Sequence, residues 1–187
     1  MSGRADLSGP GQSKKLNAAQ SIFMDITRGS VARHGVLLGY SLCKITMKSH
    51  KVEITVRTEF AAAHRLHAKE LSDEENAALF GPCNNKNGHG HNYDLFVTVR
   101  GPVDPVTGMV MNLFDLHRIV KDHIFDVVDH KHLDEDLDIL GGRTSTAENL
   151  AVVFWEIVAR HLSPFPTVEL AKIRIHESRG NIVEYFG

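Results

Sequence analysis

The chain has 187 residues, of which 42% are hydrophobic and 24% are charged, values typical of one globular domain large enough to bury a core. Its net charge of −2 and its pI near 6.6 argue against a nucleic-acid-binding protein, because such proteins usually present a basic face. Two cysteines form no disulfide framework, which favours a reducing compartment, and no apolar run approaches the roughly 18 residues of a membrane-spanning helix.

The first 48 residues differ in charge from the rest of the chain. They carry seven Lys and Arg residues against two acidic ones, whereas the remainder carries fourteen basic and twenty-one acidic residues. Because this segment has no firm hydrophobic period, it is predicted to be a disordered N-terminal extension. A transit peptide is the alternative, since such peptides are basic and poor in acids. We therefore expect a cytoplasmic protein, with mitochondrial targeting as the alternative, and a folded domain over residues 49–187.

A β-strand is predicted from Lys51 towards His64, where apolar and polar residues alternate. Because successive side chains of a strand point to opposite faces, Phe60, Ala62 and His64 share the core-facing side. The three alanines at 61–63 are weak strand formers, which makes an earlier end of the regular ladder the competing expectation.

A short helix and a polar loop connect this strand to the next one. Ser72 and Glu75 match the Ser-x-x-Glu capping box, which predicts a helix that ends at Gly81-Pro82. Cys83 then opens a loop rich in turn-forming residues, which favours a reactive thiol over a buried one. The spacing leaves open whether its sulfur binds a metal or faces a substrate.

The second strand starts at His89 and ends near Gly101, and it carries two histidines on one face. His89 and His91 are two residues apart, so both imidazoles can reach one metal ion. If the two strands are antiparallel neighbours, His64 lies at the same end of the sheet. A catalytic zinc usually takes three protein ligands and leaves one position open, so these three histidines form the predicted metal site. Most of the other histidines are interpreted as surface or packing residues: His34, His50, His67, His117, His123, His132, His161 and His176.

A helix is predicted over residues 112–128, with Asn112 as its N-cap and an apolar stripe facing the core. The acidic run that follows, residues 129–138, is typical of a solvated loop. Asp129 and His130 nevertheless offer a carboxylate beside an imidazole, a pair that suits proton transfer. The residues alone leave both interpretations open.

The last part of the chain is predicted to contain one more helix and two closing strands. The helix begins at Ser145, which forms a second Ser-x-x-Glu capping box with Glu148. Strands over residues 168–178 and 181–186 meet at a tight turn. Glu177 lies on the core-facing side of the first, unless that strand ends before it. A carboxylate in that position needs a partner, which favours ligand binding.

The order of the main elements is β-β-α-α-β-β. This order predicts an α+β fold, in which a four-stranded antiparallel sheet is covered on one face by two helices. The other face and the sheet edges also need cover, which favours an oligomer.

Six segments together resemble the 6-pyruvoyl tetrahydropterin synthase family: FAAAHRLH, CNNKNGHGHNY, DPVTGMVMNLFDL, DHKHLD, TSTAENLAVVFWE and IHES. The resemblance covers about residues 51–187. It implies the tunnelling fold, in which subunits join their sheets into an oligomeric barrel. It also implies a homohexamer, built as a dimer of trimers, that binds neither nucleic acid nor membrane.

The resemblance further implies which residues form the site. It implies one Zn²⁺ per subunit, held by His64, His89 and His91. It implies a catalytic cysteine base with an aspartate and a histidine for proton transfer: Cys83, Asp129 and His130. The implied pterin contacts are Glu177, Thr146, Ala147 and Glu148. Ala147 stands where a threonine is expected in the family.

The implied reaction converts 7,8-dihydroneopterin triphosphate into 6-pyruvoyl tetrahydropterin and triphosphate, a lyase step of tetrahydrobiopterin biosynthesis. Mg²⁺ bound with the triphosphate is a second candidate cofactor, and the candidate triphosphate contacts are Lys86, Lys131 and Arg143.

Two alternative functions stay open. One is 6-carboxy-tetrahydropterin synthase of deazapurine biosynthesis, although Cys83 and His89 are further apart than is typical of that group. The other is a non-catalytic, zinc-stabilised binding module.

Overall fold

The structure of the protein, a computed structural model, describes residues 50–187. The predicted N-terminal extension, residues 1–48, lies outside the described residues, as does His34. Nine helices and strands follow one another in the described part: β1 (Lys51–His64), α1 (Asp73–Phe80), β2 (His89–Pro102), α2 (Leu113–Val120), α3 (Asp126–Val128), β3 (Lys131–His132), α4 (Ala147–His161), β4 (Glu169–His176) and β5 (Ile182–Tyr185). None of the helices described here is long and apolar enough to span a bilayer.

The strands form one sheet in the order β3-β1-β2-β4-β5. β1 and β2 are antiparallel over their whole length, so that Lys51 pairs with Pro102 and His64 pairs with His89. This pairing confirms the predicted neighbourhood of the two strands. The alanines at 61–63 do not end the ladder, because β1 is hydrogen-bonded there to β2 on one side and to β3 on the other.

The sheet has five strands rather than the four predicted from the sequence. The additional strand is β3, whose two residues pair parallel to β1, Lys131 with Ala62 and His132 with Ala63. It lies inside the acidic run 129–138, which was interpreted as a loop. Two residues cannot show an alternating pattern, so the sequence gives no signal for this strand.

The hydrophobic core lies between one face of the sheet and helices α2 and α4. Phe60 on β1 stacks on Tyr93 on β2, with 4.9 Å between the ring centroids. Phe154 of α4 meets the ring of Phe60 edge-on at 6.0 Å. All three side chains are at most 1% exposed. The predicted arrangement of helices on one face of an α+β sheet is therefore confirmed.

Helix α4 starts two residues later than the sequence predicts. Its N-cap is Thr146, whose hydroxyl oxygen accepts a hydrogen bond from the Asn149 amide at 3.3 Å. The predicted capping box of Ser145 with Glu148 is wrong. Ser145 is fully buried, and its hydroxyl donates to a carboxylate on a neighbouring loop instead of capping the helix.

The other two predicted helix starts are correct. Ser72 and Glu75 form the expected capping box at α1, with reciprocal hydrogen bonds of 3.2 and 2.8 Å. Asn112 caps α2 through its side-chain oxygen, which accepts from the Phe114 amide at 3.0 Å. The predicted helix over residues 112–128 contains one π-helical turn, Lys121–Phe125, between α2 and α3.

Candidate metal centre and cleft

Three histidines meet at the end of the sheet where β1 finishes and β2 begins. His64 and His89 are register partners, and His91 follows on the same face of β2. One ring nitrogen from each lies within 4.8 Å of the others, and the Nε2 atoms of His64 and His89 are 3.1 Å apart. The structure thus brings together the three histidines that strand parity and direction select.

The surroundings of His64 fix the orientation of its ring. The side chain is 1% exposed, and its Nδ1 lies 2.8 Å from the backbone carbonyl oxygen of Ser145. Since a carbonyl oxygen can only accept, Nδ1 carries the proton and donates. Burial lowers the pKa of His64 and of His91, so both imidazoles are neutral at neutral pH. The Nε2 lone pair of His64 is therefore free to face the other two rings.

The donor set fits a zinc-type cation. Nε2 of His91 is buried without a hydrogen-bond partner among the described residues, and buried polar atoms normally have one. Two nitrogen ligands of a tetrahedral zinc, each at about 2.0–2.1 Å, are separated by roughly 3.3 Å. The observed 3.1 Å between His64 and His89 is close to that separation. These histidines could therefore hold a metal ion.

Glu177 supplies a carboxylate beside the imidazoles. It follows directly after β4, and its amide donates to the Asn181 carbonyl at 3.1 Å, which closes the turn into β5. Its Oε1 lies 3.8 Å from Nε2 of His64 and 4.0 Å from Nε2 of His91. The side chain is only 18% exposed, and its carboxyl group faces His64 and His91. Because β4 ends at His176, Glu177 lies one residue beyond the strand and not on its inward face, but its carboxyl group still lies beside His64 and His91.

Asp129 and His130 are held against β1 through Ala61. The Ala61 amide donates to Asp129 Oδ1 at 3.0 Å, and the His130 amide donates to the Ala61 carbonyl at 2.6 Å. The hydrogen bond from Ala61 is the main reason that the pKa of Asp129 lies below its ordinary value. The ionised carboxylate accepts from Nδ1 of His130 at 2.8 Å, which leaves Nε2 of that ring as an acceptor.

The backbone of His130 is unusual. Its φ of 58° makes it the only residue other than glycine with a positive φ within residues 50–187. Such conformations are uncommon for residues with a Cβ and cluster at functional sites. The side chain of His130 is 81% exposed, so the ring projects from the sheet edge into the solvent-filled cleft.

Cys83 lies on a 3₁₀ turn, Gly81–Asn84, that is tied to the chain just beyond His64. The Leu66 amide donates to the Cys83 carbonyl at 2.9 Å. Nε of Arg65 donates to the Asn84 carbonyl at 3.0 Å. The thiol is free and partly buried. These two contacts hold the cysteine loop at the end of the sheet where the three histidines lie.

An open cleft of about 860 Å³ lies beside the histidine cluster. The predicted site residues that line it are His91, His130, Lys131 and Glu177. Its lining also includes two residues that the sequence analysis did not select, His132 and Arg179. Arg179 could have been found from its position two residues after Glu177. The predicted metal ligands His64 and His89 lie beside the cleft without lining it. The other predicted residues that do not line it are Cys83, Lys86, Asp129, Arg143, Thr146, Ala147 and Glu148.

The sequence matches the family described as 6-pyruvoyl tetrahydropterin synthase over residues 53–187. It is 47% identical over 137 residues to 6-pyruvoyl tetrahydrobiopterin synthase of Homo sapiens, which covers 73% of this chain and 92% of that protein. It is 52% identical over 134 residues to the protein of the same name from Poecilia reticulata, covering 72% and 89%. The solved structure of Caenorhabditis elegans 6-pyruvoyl tetrahydropterin synthase superposes with a TM-score of 0.69 at 42% identity, over 74% of this chain and 96% of that one. The chain belongs to the 6-pyruvoyl tetrahydropterin synthase family.

Proposed function

We propose that the protein converts 7,8-dihydroneopterin triphosphate into 6-pyruvoyl tetrahydropterin with release of triphosphate, as a lyase of tetrahydrobiopterin biosynthesis. The observation that carries this proposal is the cluster of His64, His89 and His91 with the Glu177 carboxylate beside it. The cluster borders an open cleft in a chain of this family. The reaction moves hydrogen from the substrate side chain to the pterin ring, so it needs proton removal and return but no external oxidant.

The metal of the site is one Zn²⁺ per subunit, held by His64, His89 and His91. Three imidazole ligands leave a position open for substrate, as catalytic zinc sites require. When bound, the ion supplies Lewis-acid chemistry at the side-chain oxygens of the substrate. Mg²⁺ accompanies the triphosphate group of the substrate as a second ion.

Proton transfer is the task of Cys83, Asp129 and His130. The thiolate of Cys83 takes protons from the substrate side chain. Asp129 fixes the ring of His130 through the bond at 2.8 Å, and the free Nε2 of that ring exchanges protons in the cleft. Because Cys83 does not line the cleft of its own protomer, we place the complete catalytic group at a contact between subunits.

Substrate binding relies on charge at both ends of the molecule. Glu177 accepts hydrogen bonds from the amino group and ring nitrogen of the pterin. The start of α4, with Thr146, Ala147 and Glu148, gives the second contact with the ring. Among the candidates for triphosphate contacts, Lys131 lines the cleft and is joined there by Arg179. Arg143 does not line the cleft, and its Nη2 lies 3.4 Å from Oε1 of Glu156.

The active form is a homohexamer, a dimer of trimers with joined sheets. The outer edge of β5 and most of the outer edge of β1 have no strand partner in the described part of the chain. Unpaired edges favour association with further strands. We assign residues 49–187 as the pterin synthase domain of a cytoplasmic enzyme, and residues 1–48 as an N-terminal extension for which a role in targeting is the alternative.

Light scattering of the purified protein checks this assembly. We expect a molar mass of six times the 20.8 kDa of one chain, because closure of the barrels removes the open edges. A monomer at micromolar concentration would contradict the assembly and the proposed position of Cys83.

Replacing His89 with alanine checks the metal site. The variant should lose bound zinc and turnover together, because two imidazoles do not complete the site. His117→Ala is the matched control, since His117 is an exposed histidine on α2 outside the cluster, and it should retain both. Zinc content by atomic absorption and turnover on the same samples give the answer. A full complement of zinc in His89→Ala would refute the three-histidine site.

Cys83→Ala and Glu177→Gln should affect different steps. Without the thiol, turnover should fall by about 10²–10⁴-fold or more while the substrate still binds, since a general base contributes that much. Without the carboxylate charge, the substrate should bind at least about tenfold more weakly, because a hydrogen bond to a charged group contributes about 1.5–3 kcal/mol. Steady-state kinetics measures the loss of turnover in Cys83→Ala, and equilibrium binding of the substrate measures the loss of affinity in Glu177→Gln. Near-normal turnover in Cys83→Ala would make His130 the better candidate for the base.

A further inference from the structure

The ring of the buried residue His64 is held by a backbone carbonyl from a distant part of the chain. That carbonyl belongs to Ser145, which is fully buried between Thr144 and the N-cap of α4. It lies far along the chain from β1, so no local turn brings the two residues together. Some contact must therefore fix the segment of Ser145 against the end of β1.

Asp134 makes that contact with a single oxygen atom. Its Oδ2 accepts from the Ser145 hydroxyl at 2.9 Å and from the Arg65 amide at 2.8 Å. Arg65 is the residue directly after His64. The four residues thus form a closed ring: the peptide bond from His64 to Arg65, two hydrogen bonds to Asp134, and the bond from His64 Nδ1 to the Ser145 carbonyl.

Asp134 is itself placed by the short strand β3. Leu133, the residue before it, is fully buried, and its amide donates to the Ala63 carbonyl at 2.8 Å, continuing the pairing of β3 with β1. The backbone at Asp134 is therefore aligned with the end of β1. The side chain of Asp134 is 27% exposed, and its bond to the Ser145 hydroxyl is partly buried.

The proton position on His64 has a competitor. The hydroxyl of Tyr93 is fully buried and lies 3.5 Å from Nδ1 of His64. If the Ser145 carbonyl moved away, this hydroxyl could donate to Nδ1, and the ring proton would then occupy Nε2. An imidazole with that tautomer has no lone pair on Nε2 for a metal ion. The carbonyl has to stay in place for the ring to remain a ligand.

We propose that Asp134 and Ser145 are positioning residues for the metal site, which hold His64 in the Nδ1–H tautomer with Nε2 directed at the metal. They touch neither the substrate nor the metal and act through His64. The inference rests on the metal site of the proposed function. Outer partners of metal-bound histidines typically change metal affinity by about 10–100-fold when they are removed.

Zinc affinity of the purified full chain, measured by competition with a chromogenic chelator, tests the inference. Asp134→Ala should bind Zn²⁺ about 10–100-fold more weakly than the unchanged protein. Asp134→Asn loses the negative charge but keeps an oxygen acceptor, so its Zn²⁺ affinity should stay within about threefold of that of the unchanged protein. If the charge of Asp134 were what mattered, Asp134→Asn would lose as much affinity as Asp134→Ala. Ser145→Ala keeps the carbonyl but loses its link to Asp134, so it should show a smaller loss of about three- to tenfold.

Asp104→Ala is the matched control. Asp104 also accepts two backbone amides, from Val106 at 3.0 Å and Thr107 at 2.8 Å, but it follows β2 at the end opposite the histidines. Its removal should lower the melting temperature of the zinc-free protein without changing zinc affinity. An equal loss of affinity in Asp104→Ala and Asp134→Ala would overturn the inference, since the effect would then be one of general stability.

Three further outcomes are decisive. Zinc affinity within about threefold of the unchanged protein in both Asp134→Ala and Ser145→Ala would refute the positioning role while leaving the metal site intact. If Asp134→Ala does not fold, an unchanged Zn²⁺ affinity in Ser145→Ala is by itself enough to refute the positioning role. If the unchanged protein binds no Zn²⁺, the proposed function fails instead, so the two failures are distinguishable.

Discussion

The antiparallel register of β1 with β2 is the constraint on which the site depends. Because His64 is paired with His89, two strands that are otherwise occupied with core packing bring three imidazoles together at one end. A shift of the register by one residue would move every side chain of a strand to the opposite face. The buried stack of Phe60 on Tyr93, a few residues further along the same face, opposes such a shift. The hydrophobic core and the histidine cluster are thus specified by the same pairing.

The second constraint is the docking of the segment after α3 against the end of β1. Through Ala61 it orients Asp129 and His130, and through β3 it brings Asp134 next to the chain that carries His64. The acidic segment therefore contributes to the site in two places. Asp129 and His130 lie near the cleft, and Asp134 contacts the residue next to His64. Metal binding would in turn stabilise this arrangement, because binding energy for a site formed only on folding contributes to folding.

Strand parity was enough to predict β1, β2 and the histidine cluster, because alternation with a period of two is a strong local signal. Other features depend on contacts between distant segments. Ser145 and Thr146 are equally good capping residues, and the buried carboxylate contact of Ser145 decides in favour of Thr146. The alanines at 61–63 remain in a strand because both of their edges are paired. Neither outcome can be inferred from propensity alone, since tertiary contacts override it.

The most direct test of this account is the identity of the product. The purified protein, loaded with zinc and supplied with 7,8-dihydroneopterin triphosphate, should form 6-pyruvoyl tetrahydropterin and inorganic triphosphate in equal amounts, without added nicotinamide or flavin. Mass spectrometry of the pterin identifies the side chain that remains. A carboxy pterin as the product would place the chain with the related carboxy enzymes. An absence of turnover by a zinc-loaded hexamer would contradict the account, and the protein would then be a zinc-stabilised binding module.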